Sequence, residues 1–596
     1  MELRRYFLAF SLIFLVLLIN QPLMQFLGLI PDKNASPSPL NAPQSNLFNP
    51  EKSPSLESLQ EPKPSFTSAV PEQVYTITND LYRIELSNAY GGAIKSVSII
   101  ENDINGDKRF RGSYNGEGYE AFNYNENQTI KLEPLSNNYI GYLSQENMGI
   151  WEPAEIDNAY LFLDSSPTQT KNFLVNQDSL VLVLKSNQLK KIITFYKDSY
   201  VVSHTIEILD SDLVGRLWFS QSGLSPTEQK LYDEAMYGYG AAWSGGELWY
   251  ESYTDKDSPP DNIEGTFDWA SIRTKYFMSS FISSSGPQKS IVVPETELVH
   301  LNEEHYPHFN MYMKINNREA DILSYVGPLD LAHLEHVSIK EYKLRDNMNL
   351  GWWIMRPISR SILWILNALH SLLPWPFNNY GIILILFAFL VRIVTGPLTK
   401  KSYESNQRLQ LIQPKMQKIR NKFKNDSQKM NQELIKLYRE EGVNPMGGCL
   451  PMLLQMPLLV SLFTVFRLTI EFRGQGLLGS SFHWISDLSS PDVIPYTDMI
   501  GLNHIPLLSY FYGHGIGLLP LINGLVMILT MRLTSKTMAP EQKPTMFIMQ
   551  GVFMLLFNTF PAGLNLYYTT YNILSYVQQK NVRADIKTTT KNKKAN

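Results

Sequence analysis

An arginine, Arg392, stands inside an otherwise apolar run from Gly381 to Val394. A cation at that depth of a membrane is costly, so a cavity or a partner is expected to face it. Snorkelling is the plainer account. Arg392 lies about six residues, roughly 9 Å at helical rise, from the end of the run, and its long stem reaches headgroups from there. A second feature bears on the choice. Asn565, Tyr568 or Thr569, Asn572, Tyr576 and Gln579 recur three and four residues apart and so share one helical face. Turned to lipid, such a stripe leaves its hydrogen-bonding groups unsatisfied. A further apolar run carries Gln455 between Pro451 and Pro457. An isolated polar residue usually just joins helices. A continuous stripe, an arginine and a proline pair together predict a water-holding groove lined by Arg392, Gln455, Asn565, Tyr568 and Asn572.

Other chemistry is thinly represented. The apolar runs after residue 380 carry no Asp or Glu, whereas proton-coupled transport uses acids as relays. No nucleotide-binding loop, zinc-spaced His/Cys cluster or nucleophile elbow stands in a fitting context. The single cysteine, Cys449, excludes an intramolecular disulfide and a multi-cysteine metal site. No catalytic residue, metal or cofactor is expected. His305 and His308 near Glu303 and Glu304 are types that serve sugar chemistry, but solvated loop residues are the commoner outcome. The net charge of −4 names no partner, and DNA is not an expected one.

These candidate residues need membrane spans to position them. The mean hydropathy of −0.17 hides the spans, because apolar residues concentrate in the last third and at the start. After Arg4 and Arg5, an apolar run reaches Ile30, long enough to cross a bilayer. Without a small-x-small cleavage site it reads as an uncleaved anchor (1–30), with the N-terminus cytoplasmic. Residues 31–72, rich in Pro, Ser and Asn, read as a disordered linker. From 73 to 345 the pattern turns to period two. Tyr82, Ile84 and Leu86 alternate with polar residues, as do Val202, His204, Ile206 and Ile208. Leu180 to Leu184 reads as a buried strand, and Asn79-Asp80, Gly91-Gly92 and Asn115-Gly116 as turns. A large, mostly antiparallel extracytoplasmic β domain follows.

Residues 346–375 contain an apolar stripe (Met355, Ile358, Ile362, Ile365 or Leu366, Leu369), with Arg356, Arg360 and Asn367 on another face and Trp352, Trp353 and Trp364 nearby. An amphipathic helix in the headgroup layer is expected; a helix packed on the β domain is the alternative. The region 376–580 then holds five spans, at about 380–398, 446–468, 516–531, 545–560 and 562–579. With the anchor, the chain has six.

Between the first two of these five, residues 399–444 carry eleven Lys and Arg against five Asp and Glu. Leu409, Ile412, Met416, Ile419 and Phe423 form one seam, and Met430, Leu434 and Leu437 a second. The turn at Asn425-Asp426-Ser427 offers an N-cap. A helical hairpin with basic flanks (Lys415, Lys418, Arg420, Lys422) is expected in the cytoplasm. Solvated charge explains the lysines; binding of ribosomal RNA, anionic lipid or a nascent chain is the sharper reading. A basic tail follows at 581–596. The loop after 468 carries mainly Asp487, Asp492 and Asp498, with Trp484 and Tyr496 as interface types. The asymmetry places both termini inside and the β domain outside.

Several motifs resemble those of the YidC-type insertases. They are Asn379-Tyr380-Gly381 through Arg392 to Gly396-Pro397-Leu398-Thr399; Gln413-Pro414-Lys415; Val443-Asn444-Pro445-Met446-Gly447-Gly448-Cys449-Leu450-Pro451 with Gln455-Met456-Pro457; and Phe560-Pro561-Ala562-Gly563-Leu564-Asn565-Leu566-Tyr567-Tyr568. Trp269 with Thr274-Lys275-Tyr276-Phe277 resembles a recurrent patch of the family's large periplasmic domain. The resemblance implies a multidomain inner-membrane protein: an all-β supersandwich periplasmic domain, similar to sugar-mutarotase folds, joined to an all-α five-helix core with a hydrophilic groove. That groove opens to the cytoplasm and to lipid and is sealed outside. The resemblance makes Arg392 the groove cation, with Gln455, Asn565 and Tyr568 as neighbours. Family members often carry a hydroxyl residue one turn before the arginine; here Ala388 stands there.

The implied function is insertion and folding of nascent membrane proteins, alone or with the Sec translocon, with ribosomes received at the hairpin and tail. No bond is made or broken in this reading. The rivals are a small-solute transporter or channel gated at Arg392, and a membrane-anchored protein that binds or modifies carbohydrate. The transporter lacks paired charges and repeated broken helices.

Overall fold

The computed structural model describes residues 72–102, 109–110, 130–135, 138–146, 150–155, 162–163, 171–228, 237–252, 260–294, 299–301, 304–306, 308–336, 339–348, 350–351, 354–374, 377–424, 426–443, 450–478, 484–485, 487–492, 517–534, 547, 550–551, 554 and 556–595. The expected anchor and nearly all of the linker lie outside these residues. So do the turn at 115–116, Trp352, Trp353, Cys449, Tyr496, Asp498 and part of the expected span at 545–560.

Alternating side chains build three main sheets. A nine-stranded sheet runs in the order Glu247–Glu251, Tyr239–Ser244, Trp269–Arg273, Phe277–Ser283, Glu319–Pro328, Val201–Ile208, Leu189–Tyr196, Ser179–Lys185, Phe162–Leu163. In Leu189–Tyr196 every second residue is buried, starting with Leu189, and the antiparallel register sets Ile193 opposite His204. A six-stranded sheet holds Gln288–Pro294 and Phe309–Lys314 near its centre, and a five-stranded sheet holds Val74–Thr78, Tyr82–Ser87 and Ile94–Ile99. Their inner faces close on one core that includes Ile77 and Ile84, Phe195 and Ile206, and Val292 and Met311. Burying each such side chain is worth about 1.5–3 kcal/mol. The turn at Tyr90, Gly91 and Gly92 has φ values of 58°, 76° and 75°, a left-handed stretch that glycine adopts without a steric penalty.

Two expectations for this domain need correction. The run Leu180 to Leu184 is not buried throughout, since Val181 is 52% exposed while Leu182 and Leu184 are buried. Its strand alternates exposed or half-buried with buried residues over Val181 to Leu184, so only one face of the strand packs on the core. His308 is buried, not a solvated loop residue, and burial pushes its pKa down to about 4.

The β domain is fastened to the helical region by polar side chains. Tyr239 Oη and Arg273 Nη1 both donate to the Asn347 carbonyl, at 2.8 and 2.7 Å. Tyr276 Oη donates to the Arg467 carbonyl at 3.2 Å. Arg473 Nε meets Glu228 Oε1 at 2.5 Å, both side chains almost fully buried. Ile470 belongs to the β-domain core, whereas Phe472 belongs to the helical core.

We number the main helices α1 (Arg356–Leu372), α2 (Tyr380–Lys422), α3 (Ser427–Glu440), α4 (Leu450–Leu468), α5 (Leu518–Thr534) and α6 (Ala562–Ala595). Among the described residues, one helical segment, Tyr380–Ser405, is long and apolar enough to cross a membrane; Gln455–Leu468 and Leu518–Arg532 are shorter apolar helices. Asn379 caps α2 by accepting from the amides of Gly381 and Ile382, so the helix starts at Tyr380. Its end differs. No break separates span from hairpin, and α2 continues to Lys422 through Pro397 and Pro414. Thr395 and Thr399 donate their hydroxyls to the carbonyls one turn back, Val391 and Thr395. Likewise the basic tail is no separate segment, because α6 runs on to Ala595.

The apolar stripe of α1 is covered by protein. Ile362, Leu363 and Leu366 are buried in one cluster with Leu462, Val465 and Phe466 of α4, so the face expected to enter lipid is spent on helix packing. Trp364 points outward instead, at 69% exposure. The loop after α4 also departs from a solvated connection. Asp487 accepts from the Gly474 and Ser489 amides, and Asp492 from the Leu519 amide at the start of α5.

Candidate substrate groove in the helical region

Helix α6 lies against α2, and its polar residues meet those of α2 about the arginine. Arg392 is 7% exposed. Its Nη1 donates to Tyr571 Oη at 3.3 Å, its Nη2 donates to Gln578 Oε1, and its guanidinium carbon sits 5.2 Å from the centre of the Tyr571 ring. Gln578 Nε2 in turn donates to the Gly396 carbonyl at 3.1 Å. Tyr403 of α2 and Ser575 of α6 also pair through their hydroxyls, at 3.0 Å.

Two properties of this arrangement matter. First, both partners of the guanidinium are neutral, and among the described residues no carboxylate pairs with it. Second, its buried Nε has no partner among the described residues. A buried donor without a partner calls for water or a bound group. Arg392 is therefore held in place without being neutralised, and snorkelling does not describe a side chain packed on α6.

The expected neighbours are only partly assembled around it. Asn572 Nδ2 donates to Asn523 Oδ1 of α5 at 2.9 Å, which joins α6 to α5. Gln455 of α4 is adjacent to Tyr568. Asn565 is fully buried and binds the carbonyls of Phe557 and Phe560 through its Nδ2. It closes the turn that precedes α6, roughly 9 Å along the helix from Tyr571. The direct partners, Tyr571 and Gln578, were missed from sequence. They belong to a second row, Tyr571-Ser575-Gln578, one residue off the stripe that was recognised.

The surroundings are open at one end and closed at the other. Over Ser461 to Phe466, α4 is largely buried; over Gln455 to Val460 it is half-buried or exposed, with Met456 and Val460 at 40% and 42%. At the closed end Phe463, Phe466, Phe472, Phe557 and Phe560 interlock at ring-centre distances of 4.8–5.3 Å. The Leu488 and Ser490 carbonyls accept from the Gly563 and Ala562 amides, which pins the loop after α4 over the α6 turn. On the outer face of α2, Leu386, Phe389, Leu390, Ile393 and Val394 are exposed. They recur at helical spacing, as a lipid-facing stripe does.

The hairpin forms as its seams require. Ile412, Leu437 and Val443 pack with Leu409, Met416 and Ile419, and Asp426 caps α3 by accepting from the Lys429 amide at 3.0 Å. Of the basic candidates, Lys415 pairs with Glu441 and Lys422 lies 5.4 Å from the Phe423 ring centre. Lys418 is exposed and Arg420 half-buried.

Comparison with known proteins gives concordant results. A family model described as "60Kd inner membrane protein" matches residues 373–590, and one described as "YidC periplasmic domain" matches residues 156–365. Among curated proteins, the "Membrane protein insertase YidC" of Chlorobaculum parvum is 30% identical over 533 residues, covering 86% of this chain and 83% of that protein. That of Prosthecochloris aestuarii is 34% identical over 447 residues, covering 71% and 72%.

Proposed function

We propose how this chain, which belongs to the YidC family of membrane protein insertases, moves a polar segment through the membrane. The family is one of inner-membrane proteins with a periplasmic domain, and insertion is its function. In the mechanism proposed, the hydrophilic segment of a client enters from the cytoplasm beside α4 and reaches Arg392. The client's apolar segment meanwhile slides past α4 into lipid. Water and the side chains of Tyr571, Gln578, Asn572 and Gln455 replace hydrocarbon along the path, and the guanidinium lowers the desolvation cost of client carboxylates. Transfer of the apolar segment, at about 0.8 kcal/mol per buried CH₂, drives the step. No covalent chemistry and no cofactor enter.

The observation that carries this reading is the pairing of Arg392 with two neutral groups only. A structural arginine in hydrocarbon is expected to be paired with an acid; this one keeps its charge for an acid that arrives. We further propose six spans, both termini cytoplasmic, a five-helix core, receipt of ribosomes at the α2–α3 hairpin and the end of α6, and work beside the Sec translocon. The basic excess of the hairpin supports that orientation.

The test is insertion of a single-span client with an acidic N-tail into proteoliposomes by wild type, Arg392→Lys and Arg392→Ala. Retention in Lys with loss in Ala supports a cation in a groove. Equal loss in both assigns the role to guanidinium geometry. Full activity in both removes Arg392 from the mechanism.

A further inference from the structure

At the joint between the β domain and the helical region lies a buried ionisable cluster that the insertion mechanism does not use. Glu101, Arg109, Asp330 and His333 come from the β domain. Glu471 comes from the single 3-10 turn Ile470–Phe472 that follows α4. Arg109 bridges two of the three carboxyls, with Nη1 2.7 Å from Glu101 and Nη2 3.0 Å from Asp330 Oδ2. His333 Nε2 stands 3.0 Å from Glu101 and 3.6 Å from Asp330. The basic groups are thus committed to Glu101 and one oxygen of Asp330.

Glu471 is 5% exposed and Asp330 fully buried. Among the described residues, neither side-chain oxygen of Glu471 has a donor from another residue, and Asp330 Oδ1 has none either. The nearby hydroxyls are spent elsewhere. Tyr200 donates to Glu101, Tyr325 to the Pro328 carbonyl and Tyr380 to Asn367. The two carboxyls are neighbours, and two ionised carboxylates have nothing to donate to each other. Like charges cannot both be kept in such a place. One proton turns the repulsion into a charge-assisted O–H···O bond and satisfies both orphaned acceptors.

We propose that Glu471 carries a proton in the docked state and donates it to the orphaned Asp330 Oδ1, and that this proton fastens the β domain to the helical region so that alkaline pH loosens the joint. The direction follows from linkage. Burial, and then Asp330, raise the pKa of Glu471 above the ordinary carboxylate range, so docking takes up a proton that an undocked, solvated Glu471 lacks. The contribution is complete below the ordinary carboxylate pKa of about 4.3 and is lost as pH rises through the raised value. Docking weakens by up to about tenfold per pH unit in that window.

The experiment uses the full chain in lipid nanodiscs, with Cys449→Ser and spin labels at Asn317→Cys and Ser371→Cys, one in each region. Inter-label distances are measured from pH 5 to pH 9 in the otherwise wild-type chain, in Glu471→Gln and in Glu471→Met. The expected result is one narrow distance at pH 5–7 that broadens towards pH 9 with Glu471 present and stays narrow throughout in both variants. An unchanged distribution from pH 5 to 9 with Glu471 present overturns the proposal. So does equal broadening in the variants. A joint that stays open at every pH in both variants also overturns it, because an uncharged side chain is what the docked state is proposed to need.

Discussion

If Arg392 holds its charge for the client, its contribution must depend on the client's own charge. The perturbation is a double cycle: Arg392→Ala in the insertase, and Asp→Asn at one position in the translocated tail of the client. Two unit charges about 4 Å apart interact by about 4 kcal/mol at an effective dielectric of 20. The segment Gln455 to Val460 is half-buried or exposed, and Tyr571 and Gln578 already hold the guanidinium. A hydrogen bond to a charged group, worth about 1.5–3 kcal/mol, is therefore the fitting scale. At 1.4 kcal/mol per decade, wild type inserts the Asp client roughly 10- to 100-fold faster than Arg392→Ala does. The Asn client separates the two proteins much less. The assay is the initial rate of protease protection of the tail in proteoliposomes, with the four combinations run in parallel. A coupling term of zero, with Arg392→Ala slowing both clients by the same factor, would falsify the electrostatic role and leave Arg392 as a packing residue between α2 and α6.

Further outcomes are expected on stability. Lys191 is 3% exposed and donates to the Gly91 and Gly92 carbonyls at 3.2 and 2.7 Å, and burial lowers its pKa to about 7. The unfolded chain holds that proton up to about pH 10, so β-domain stability gains about 1.4 kcal/mol per unit between about pH 7 and 10; Lys191→Met should remove this rise in urea titrations at pH 7 and 9. Gly381→Ala places a Cβ 2.4 Å from the Leu477 carbonyl oxygen, whereas at Gly396 the nearest atom is Gln578 Nε2 at 3.6 Å. The first should cost about 1–3 kcal/mol and lower the thermal midpoint in detergent, the second leave it near wild type. Arg473→Ala strands Glu228 in a buried site and should cost about 3–5 kcal/mol, much of it recovered when Glu228→Met is added; a double variant as unstable as the single one contradicts this. Asp426→Ala removes the α3 cap, worth about 1 kcal/mol, and should speed amide exchange over Ser427–Glu440 several-fold.

Much of the fold was legible because periodicity records burial directly. The alternation at Tyr82, Ile84 and Leu86 and at Val202 to Ile208 marks inward faces, and all these residues are buried. Asp426 was readable as a cap because a cap needs only local chemistry. What stayed hidden depends on the partner surface. The α1 stripe is equally apolar whether lipid or α4 covers it, and sequence periodicity does not tell the two apart. Pro397 reads as the end of a span, yet α2 continues. In the groove, Arg392 was conspicuous by its cost in hydrocarbon, but its partners depend on the rotation of α6 about its axis. A one-residue difference in the facing row exchanges Asn572 for Tyr571. The buried role of Asn565 shows the same limit, since a polar residue at a helix start serves a turn as well as a cavity.

The unbroken course of α2 makes it a lever. Arg392 sits 12 residues from its start and 30 from its end, which at 1.5 Å per residue sets arms of about 18 and 45 Å on either side. The N-terminal end of α2 is clamped where Gly381 abuts Leu477, so that end is the fulcrum. A push of a few ångströms at the hairpin tip then arrives at Arg392 reduced about 3.5-fold, with no joint in between to absorb it other than the two prolines. Displacement of the hairpin tip and the position of Arg392 are in this sense one mechanical coordinate, and stiffening the lever at Pro397 is a way to hear that coupling as a change in insertion rate.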